Sequence, residues 1–116
     1  MAGRGGDVSS QQKTVDYIAE QCAAAGTITT RRMFGEYALY CDGKVVAFVC
    51  DDQLFIKPTE PGRTWLGTVI EAPAYPGSKM YFLIEGDRWD DADWLADLVK
   101  VTADALPAPK PKKGKK

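Results

Sequence analysis

The chain has 116 residues, 45% of them apolar, and a formal net charge of −1. This length suits a single domain around one core, and the apolar fraction is typical of globular proteins. The chain contains no histidine, which excludes Ser-His-Asp and Cys-His nucleophilic catalysis and zinc sites of the Cys/His type. We therefore expect a protein that is not an enzyme and has no catalytic residue, metal ion or cofactor.

The cysteines and the N-terminal segment indicate the cellular compartment of the protein. Cys22, Cys41 and Cys50 are widely spaced among apolar neighbours and form no C-x-x-C pair, so we expect buried thiols in a reducing environment. The Gly-rich start lacks the apolar stretch of a signal peptide, and no apolar run approaches the roughly 18 residues needed to cross a membrane. These features predict a cytoplasmic protein without membrane contact.

Charge is segregated along the sequence. Residues 9–106 contain nine Lys or Arg and fifteen Asp or Glu residues, a net charge of −6. Residues 107–116 carry five lysines and no acid: Lys110, Lys112, Lys113, Lys115 and Lys116. We predict a disordered start at 1–8, a folded acidic domain at 9–106 and a basic, Pro/Lys-rich tail at 107–116.

The first predicted element is a helix that begins at Ser9. Ser9 and Gln12 fit a capping box, and apolar residues follow at helical spacing: Val15, Ile18, Ala19, Cys22 and Ala23. Gly26 suits the C-terminal cap of this helix.

Four antiparallel strands are predicted next, separated by short turns: 28–34, 36–42, 45–50 and 54–57. Asp42-Gly43 is typical of a type I′ hairpin turn, in which both central residues have positive φ. Asp51-Asp52 predicts a second tight turn. The strand 45–50 is apolar on both faces, so we expect a central strand covered on both sides.

The second half of the chain is less regular. Pro61-Gly62 predicts a turn before a short helix at 63–66, residues 72–77 a loop, and residues 79–85 a strand. The final helix is the clearest, with Asp90 as N-cap and a hydrophobic staple between Trp89 and Trp94. The whole pattern predicts an α+β fold, with an antiparallel sheet flanked by an N-terminal and a C-terminal helix.

Three stretches resemble the N-terminal domain of TfoX (Sxy) proteins: RMFGEYALY at 32–40, Asp42-Gly43, and DDQLFIK at 51–57. The family pattern is MFGGYGLY, then DG, then D-x-LYLK, so that Glu36 and Ala38 replace glycines. The resemblance covers roughly residues 9–106. It implies a secretion-chaperone-like fold with the order α-β-β-β-α-β-β-α or similar.

The resemblance also implies a function. TfoX proteins regulate competence genes, act alongside the cyclic-AMP receptor protein at promoters, and carry a second, helical domain where this chain has its lysine-rich tail. We therefore expect a regulatory or adaptor module that binds a protein partner such as a transcription regulator. Because this fold family often forms homodimers, a homodimer is a further expectation.

Two patterns supply candidate interaction residues. Arg31, Arg32 and Phe34 precede Gly35, and they either form a turn that faces an acidic partner or nucleic acid, or belong to a strand with its arginines solvated. Tyr40 and Tyr81 would line an exposed patch if no helix covers the second face of the sheet.

The lysine tail supports a second hypothesis, direct non-specific nucleic-acid binding by counterion release. Without arginine or aromatic residues the tail offers charge but no stacking, so a solubilising tail is an equal alternative. The acidic clusters at 51–52 and 87–93 suit turns and helix caps, although paired acids for glycoside chemistry remain open. A small ligand-binding protein or enzyme is the third hypothesis.

Overall fold

The architecture is an antiparallel sheet with a helix at each end. A computed structural model of the chain describes residues 12–33, 36–75 and 77–107. Its elements in chain order are helix α1 Gln12–Gln21, strands β1 Ile28–Met33, β2 Glu36–Cys41, β3 Lys44–Cys50 and β4 Gln53–Ile56, helix α2 Glu60–Leu66, strands β5 Glu71–Pro73 and β6 Met80–Ile84, and helix α3 Ala92–Ala105. The predicted α+β class is confirmed, as are the four strands predicted before α2, where the order implied by the resemblance has three.

The described strands form one sheet in the order β1-β2-β3-β4-β6-β5, and all neighbours are antiparallel. Both predicted hairpin turns are present. Asp42 and Gly43 have φ of 53° and 85°, and Asp51 and Asp52 have φ of 53° and 57°. Two successive positive φ values match the right-handed twist of the flanking strands, as a type I′ turn requires. Two-residue hairpin turns therefore connect β2 to β3 and β3 to β4.

The core lies between the helices and one face of the sheet. Alternate residues of each strand point to that face, and they pack with one stripe from each long helix. Its fully buried members include Val15, Ile18, Leu39, Val49, Leu54, Ile56, Phe82, Leu95, Leu98 and Val99. All three cysteines are buried too, as predicted.

Helix α2 corrects the prediction of a turn at Pro61-Gly62, because both residues lie inside the helix. Thr59 is the N-cap, and its Oγ1 accepts a hydrogen bond from the Gly62 N–H at 3.0 Å. Proline fits the first helical turn, since its missing N–H would have no partner there. At Gly62 a Cβ would lie 2.7 Å from Thr59 Oγ1, 3.7 Å from Thr102 Oγ1 and 4.0 Å from Phe82 Cε2. Close packing thus requires the glycine.

The predicted loop at 72–77 begins as strand β5, which is a second correction. Ala72 pairs with Tyr81 and Pro73 with Met80. A three-residue edge strand ending in proline has no alternation for a sequence pattern to show, and pairing with β6 alone defines it. The turn that follows is closed by Ser78, whose Oγ accepts a hydrogen bond from the Ala74 N–H at 2.9 Å.

The N-cap of α3 is Asp91 and not Asp90. Its Oδ1 accepts a hydrogen bond from the Trp94 N–H at 3.1 Å. Asp90 instead accepts the hydroxyl hydrogen bond of Tyr17 in α1. The shift of one residue moves Trp89 and Trp94 off the two positions of a hydrophobic staple, so that prediction was wrong as well.

Both tryptophans find other partners, and the start of the chain differs in detail. Trp89 Nε1 donates to the Ile84 carbonyl at 3.0 Å, and Trp94 packs against Trp65 with ring centroids 5.4 Å apart. Gly26 caps a 3-10 turn at Ala23–Ala25 that follows α1, rather than α1 itself. The Ser9 cap lies outside the described residues.

Candidate interaction surface

One face of the sheet is covered by no described helix. Helices α1, α2 and α3 all pack on the core side, and the alternate residues of the strands point away from it. We call this second side the open face. Its apolar residues are Ala38, Tyr40, Val45, Phe48, Cys50, Phe55, Ile70, Ala72, Tyr81 and Leu83.

A row of paired residues crosses the open face from one edge to the other. The strand register aligns them in this order: Arg31, Ala38, Phe48, Phe55 and Leu83. The N–H of Leu83 then donates to the Ile70 carbonyl at 2.8 Å, which places Ile70 at the end of the row with 46% of its surface exposed. The row is apolar apart from the arginine at its start.

Aromatic side chains dominate the middle of the open face. Phe48 and Tyr81 meet edge to face, with centroids 5.5 Å apart and an interplanar angle of 84°. Phe55 is buried in this second cluster, whereas Phe48, Tyr40, Tyr81 and Leu83 remain half-buried. Burial raises the pKa of the Tyr81 hydroxyl, with smaller effects from Tyr75 and Cys50. Rigid aromatic area with polar tips is typical of protein interfaces.

A groove of about 380 Å³ lies at one end of the open face. It is lined by Glu36, Asp51, Gln53, Phe55, Ala74 and Tyr75. Burial, followed by the charge and hydrogen bond of Glu36, raises the pKa of the Cys50 thiol in this region to about 12. Burial and the nearby Cys41 raise that of Cys22 to about 12 as well. Both thiols stay protonated at neutral pH, which makes them poor nucleophiles.

The structure separates the candidate residues named from sequence. Arg31 on β1 and Tyr40 on β2 lie on the open face, as does Tyr81 on β6, three strands away from Tyr40. Arg32 lies on the core side of β1, with its guanidinium carbon 5.9 Å from the centre of the Tyr37 ring. Phe34 and the five lysines of the tail are outside the described residues. Whether these residues contact a partner stays a prediction.

Sequence reasoning missed Phe48, Leu83 and Ile70. The strand β3 is central as predicted, but no described helix covers its second face, which corrects the expectation of burial on both sides. A strand with apolar residues on both faces has the same sequence pattern whether a helix covers its second face or that face stays partly exposed. The alternation at Tyr81 and Leu83 was the available signal.

The acidic residues serve local structure. Asp42 Oδ1 accepts a hydrogen bond from the Thr27 N–H at 2.9 Å, and Asp91 caps α3. Asp51 begins the β3–β4 turn. In the part of the chain that the structure describes, no group of three or more His, Cys, Asp or Glu residues is placed to hold a metal ion.

Comparison with known families agrees with this architecture. Residues 20–106 match the model of the TfoX N-terminal domain, which is well over half of the chain. The chain belongs to the TfoX N-terminal domain family. In this TfoX N-terminal domain, Asp42-Gly43 forms the β2–β3 turn, and the segment beginning at Asp51 forms the next turn and β4.

A relative from Spirochaeta aurantia is similar over most of both chains. This uncharacterised 12.7 kDa protein of the trpE 5′ region is 43% identical over 99 residues, which is 85% of each chain. Its description assigns no activity. Within the described ranges, no helix is long and apolar enough to cross a membrane.

Proposed function

We propose that this TfoX N-terminal domain is a regulatory adaptor that binds another protein through its open face and catalyses no reaction. The observation that carries the proposal is the apolar row through Phe48, Leu83 and Ile70, which no described helix covers. Removing apolar surface of this kind from water is favourable, and contact with a partner removes it. The family suggests a transcription regulator of the competence type as the partner.

The chemistry of the open face supports binding rather than catalysis. The Cys50 thiol is held protonated, and the chain supplies no imidazole base. Tyr40 and Tyr81 instead offer rigid ring area at low entropic cost, which is what an interface uses. A second copy of the domain would cover the same apolar area, so we extend the proposal to a homodimer that the partner replaces or joins.

The test is capture of partners from nuclease-treated lysate with a tagged domain. Two exposed apolar residues give a matched pair of variants, because Ile70 is 46% exposed on the open face and Met80 is 47% exposed off it. We expect the same transcription regulator to be retained by the full chain, by a chain ending at Leu106 and by Met80→Asp, and to be lost with Ile70→Asp. Equal retention by Ile70→Asp, or no identified regulator at physiological salt, would contradict the proposal.

The lysine tail supports a second candidate function, direct nucleic-acid binding. Its five positive charges stand against a domain of net charge −6, and phosphate contacts of this kind weaken steeply as salt rises. This candidate predicts that retention depends on the tail and disappears after nuclease treatment. The chain ending at Leu106 therefore separates the two functions in the same experiment.

A further inference from the structure

The two edges of the sheet differ in how open they are. The edge strand β5 has three residues and ends in Pro73, which has no N–H to donate. The opposite edge strand, β1, has six residues, and Thr29, Thr30, Arg31 and Arg32 are all exposed. A long edge of this kind presents a ready template for another strand.

The register shows which backbone groups of β1 point outward. The Asp42 N–H donates to the Thr27 carbonyl at 2.9 Å, so the backbone of Thr27 faces β2. Because the direction alternates along an antiparallel strand, Thr29 and Arg31 also face β2, whereas Thr30 and Arg32 turn their N–H and C=O groups away from the sheet. No residue of the described ranges outside β2 hydrogen-bonds to the backbone of β1.

The charges on β1 are positive on both faces. Of the four described arginines, Arg63 pairs with Glu71 at 2.8 Å, Arg88 lies 4.3 Å from the centre of the Trp94 ring, and Arg32 lies over Tyr37. Arg31 makes no ion pair or ring contact in the described part of the chain and points from the open face into solvent. A guanidinium group binds a carboxylate through two parallel hydrogen bonds.

We infer that β1 receives an extended acidic segment of a partner protein as a seventh strand. Outward backbone groups of Thr30 and Arg32 hydrogen-bond to the added strand, as in other cases of strand addition. Adjacent residues of that strand point to opposite faces, so one carboxylate reaches Arg31 and its neighbour reaches Arg32. The inference rests on the proposed adaptor function and adds the chemistry of the partner.

Charge argues against two other occupants of this edge. Antiparallel pairing of β1 with β1 of a second copy through the outward groups of Thr30 and Arg32 would bring the two Arg31 side chains opposite each other on the open face, and like charges directly opposite are destabilising. A nucleic acid would bring a long polyanion against a domain of net charge −6. A short strand with two carboxylates meets little of that repulsion.

The test uses a fluorescent eight-residue peptide of β-branched residues with two adjacent glutamates at its centre, titrated into the full chain. Control peptides replace the glutamates with glutamine, or place proline beside them at the same charge. We expect each control peptide and the Arg31→Glu variant to bind at least about tenfold more weakly, since they lose a charge-assisted pair or a ladder hydrogen bond. Arg31→Lys should retain part of the affinity.

The variant Thr30→Pro tests strand addition itself. Its lost N–H points outward, so the β1–β2 ladder keeps its hydrogen bonds while the added strand loses one. We expect weaker peptide binding by this variant, and new protection of the Thr30 and Arg32 amides from hydrogen exchange when peptide binds the unmodified chain. A peptide affinity that is unchanged by Thr30→Pro or by Arg31→Glu would overturn the inference, as would the absence of binding at about 1 mM peptide.

Two further outcomes distinguish this inference from occupation of the edge by the chain's own N-terminus and from the adaptor proposal. Peptide binding only after removal of residues 1–8 would show that the N-terminus of the chain itself occupies the edge, and would overturn the inference. If the peptide does not bind while capture of a regulator still depends on Ile70, the adaptor proposal is supported and the inference of an added acidic strand is overturned. Met80→Asp should leave peptide affinity unchanged, because Met80 lies on β6, four strands away from β1.

Discussion

At the scale of single residues, Asp42 links the β2–β3 turn to the start of β1. Its backbone has φ of 53°, a left-handed conformation that aspartate tolerates better than most residues. Its Oδ1 accepts the Thr27 N–H at 2.9 Å, and its own N–H donates to the Thr27 carbonyl at 2.9 Å. The carboxylate also fills the space beside Gly26, where a Cβ would approach it to 2.8 Å.

These contacts predict the effect of two substitutions. Asp42→Ala should lower the free energy of unfolding by about 1–3 kcal/mol, because a hydrogen bond is lost and alanine is strained at this φ. Asp42→Asn keeps an accepting oxygen and tolerates the same φ, so its change should stay within about 0.5 kcal/mol. Urea denaturation measures both, and equal values for the two variants would contradict this account.

The buried thiols predict a loss of stability in alkali. The pKa of Cys22 rises from 9.0 to about 12 on folding, chiefly through burial. Between those values the unfolded chain has released the proton that the folded chain still holds, so the free energy of unfolding falls as pH rises from 9 towards 12. Urea denaturation at pH 8 and 10.5 measures the fall, which should be smaller in Cys22→Ala. An identical fall in that variant would contradict the assignment to Cys22.

At the scale of elements, helix α3 is held at both ends. Asp91 caps its start, and the nearby Asp90 accepts a hydrogen bond from Tyr17 in α1. At the other end, Lys44 Nζ donates to the Ala103 carbonyl at 2.8 Å. A cation there opposes the negative end of the helix dipole, and it shares the Ala103 carbonyl with the backbone N–H of the C-cap Leu106, which donates at 3.2 Å.

The cap assignment is testable with two neighbouring substitutions. Asp91→Ala should destabilise the protein by about 1 kcal/mol, because the Trp94 N–H loses its partner. Asp90→Ala removes only an exposed contact with Tyr17, and its effect should be the smaller of the two. Thermal and urea unfolding rank the variants, and the opposite order would mean that Asp90 is the true N-cap.

At the scale of the whole molecule, the described helices all pack on one side of the sheet and leave the apolar open face uncovered. A flat apolar sheet face favours association, because contact removes it from water. The acidic charge of the domain limits that association by mutual repulsion, and rising salt screens the repulsion.

This balance predicts the behaviour of the protein in solution. Sedimentation equilibrium should show a mass that rises from 12.7 kDa towards twice that value with protein concentration, more so at high salt. Ile70→Asp should keep the mass near that of the monomer, whereas Met80→Asp should associate like the unsubstituted chain. A constant monomer mass at all concentrations would remove the homodimer from the proposed function.

Much of the fold was predictable because it depends on neighbours in sequence. Alternation and helical spacing located α1, α3 and five of the strands, and Asp42-Gly43 carried its own turn chemistry. Arg31 and Arg32 were found as candidates by residue type, and their placement on opposite faces follows from strand alternation. The local pattern failed at Pro61-Gly62, which lies inside α2, where a Cβ at Gly62 would meet Thr59 Oγ1 at 2.7 Å and the distant Thr102 Oγ1 at 3.7 Å.

The sequence by itself determined the α+β class, the hairpins, the buried cysteines and the absence of imidazole chemistry, since composition and local periodicity specify these. Only the tertiary structure decided that β5 pairs with β6, that Asp91 caps α3, and that all described helices pack on one face. Those outcomes depend on strand order and on contacts between residues far apart in the chain. If a helix covered the second face of the sheet, Phe48 and Leu83 would belong to the core. In this structure no described helix covers that face, so they lie on an open surface.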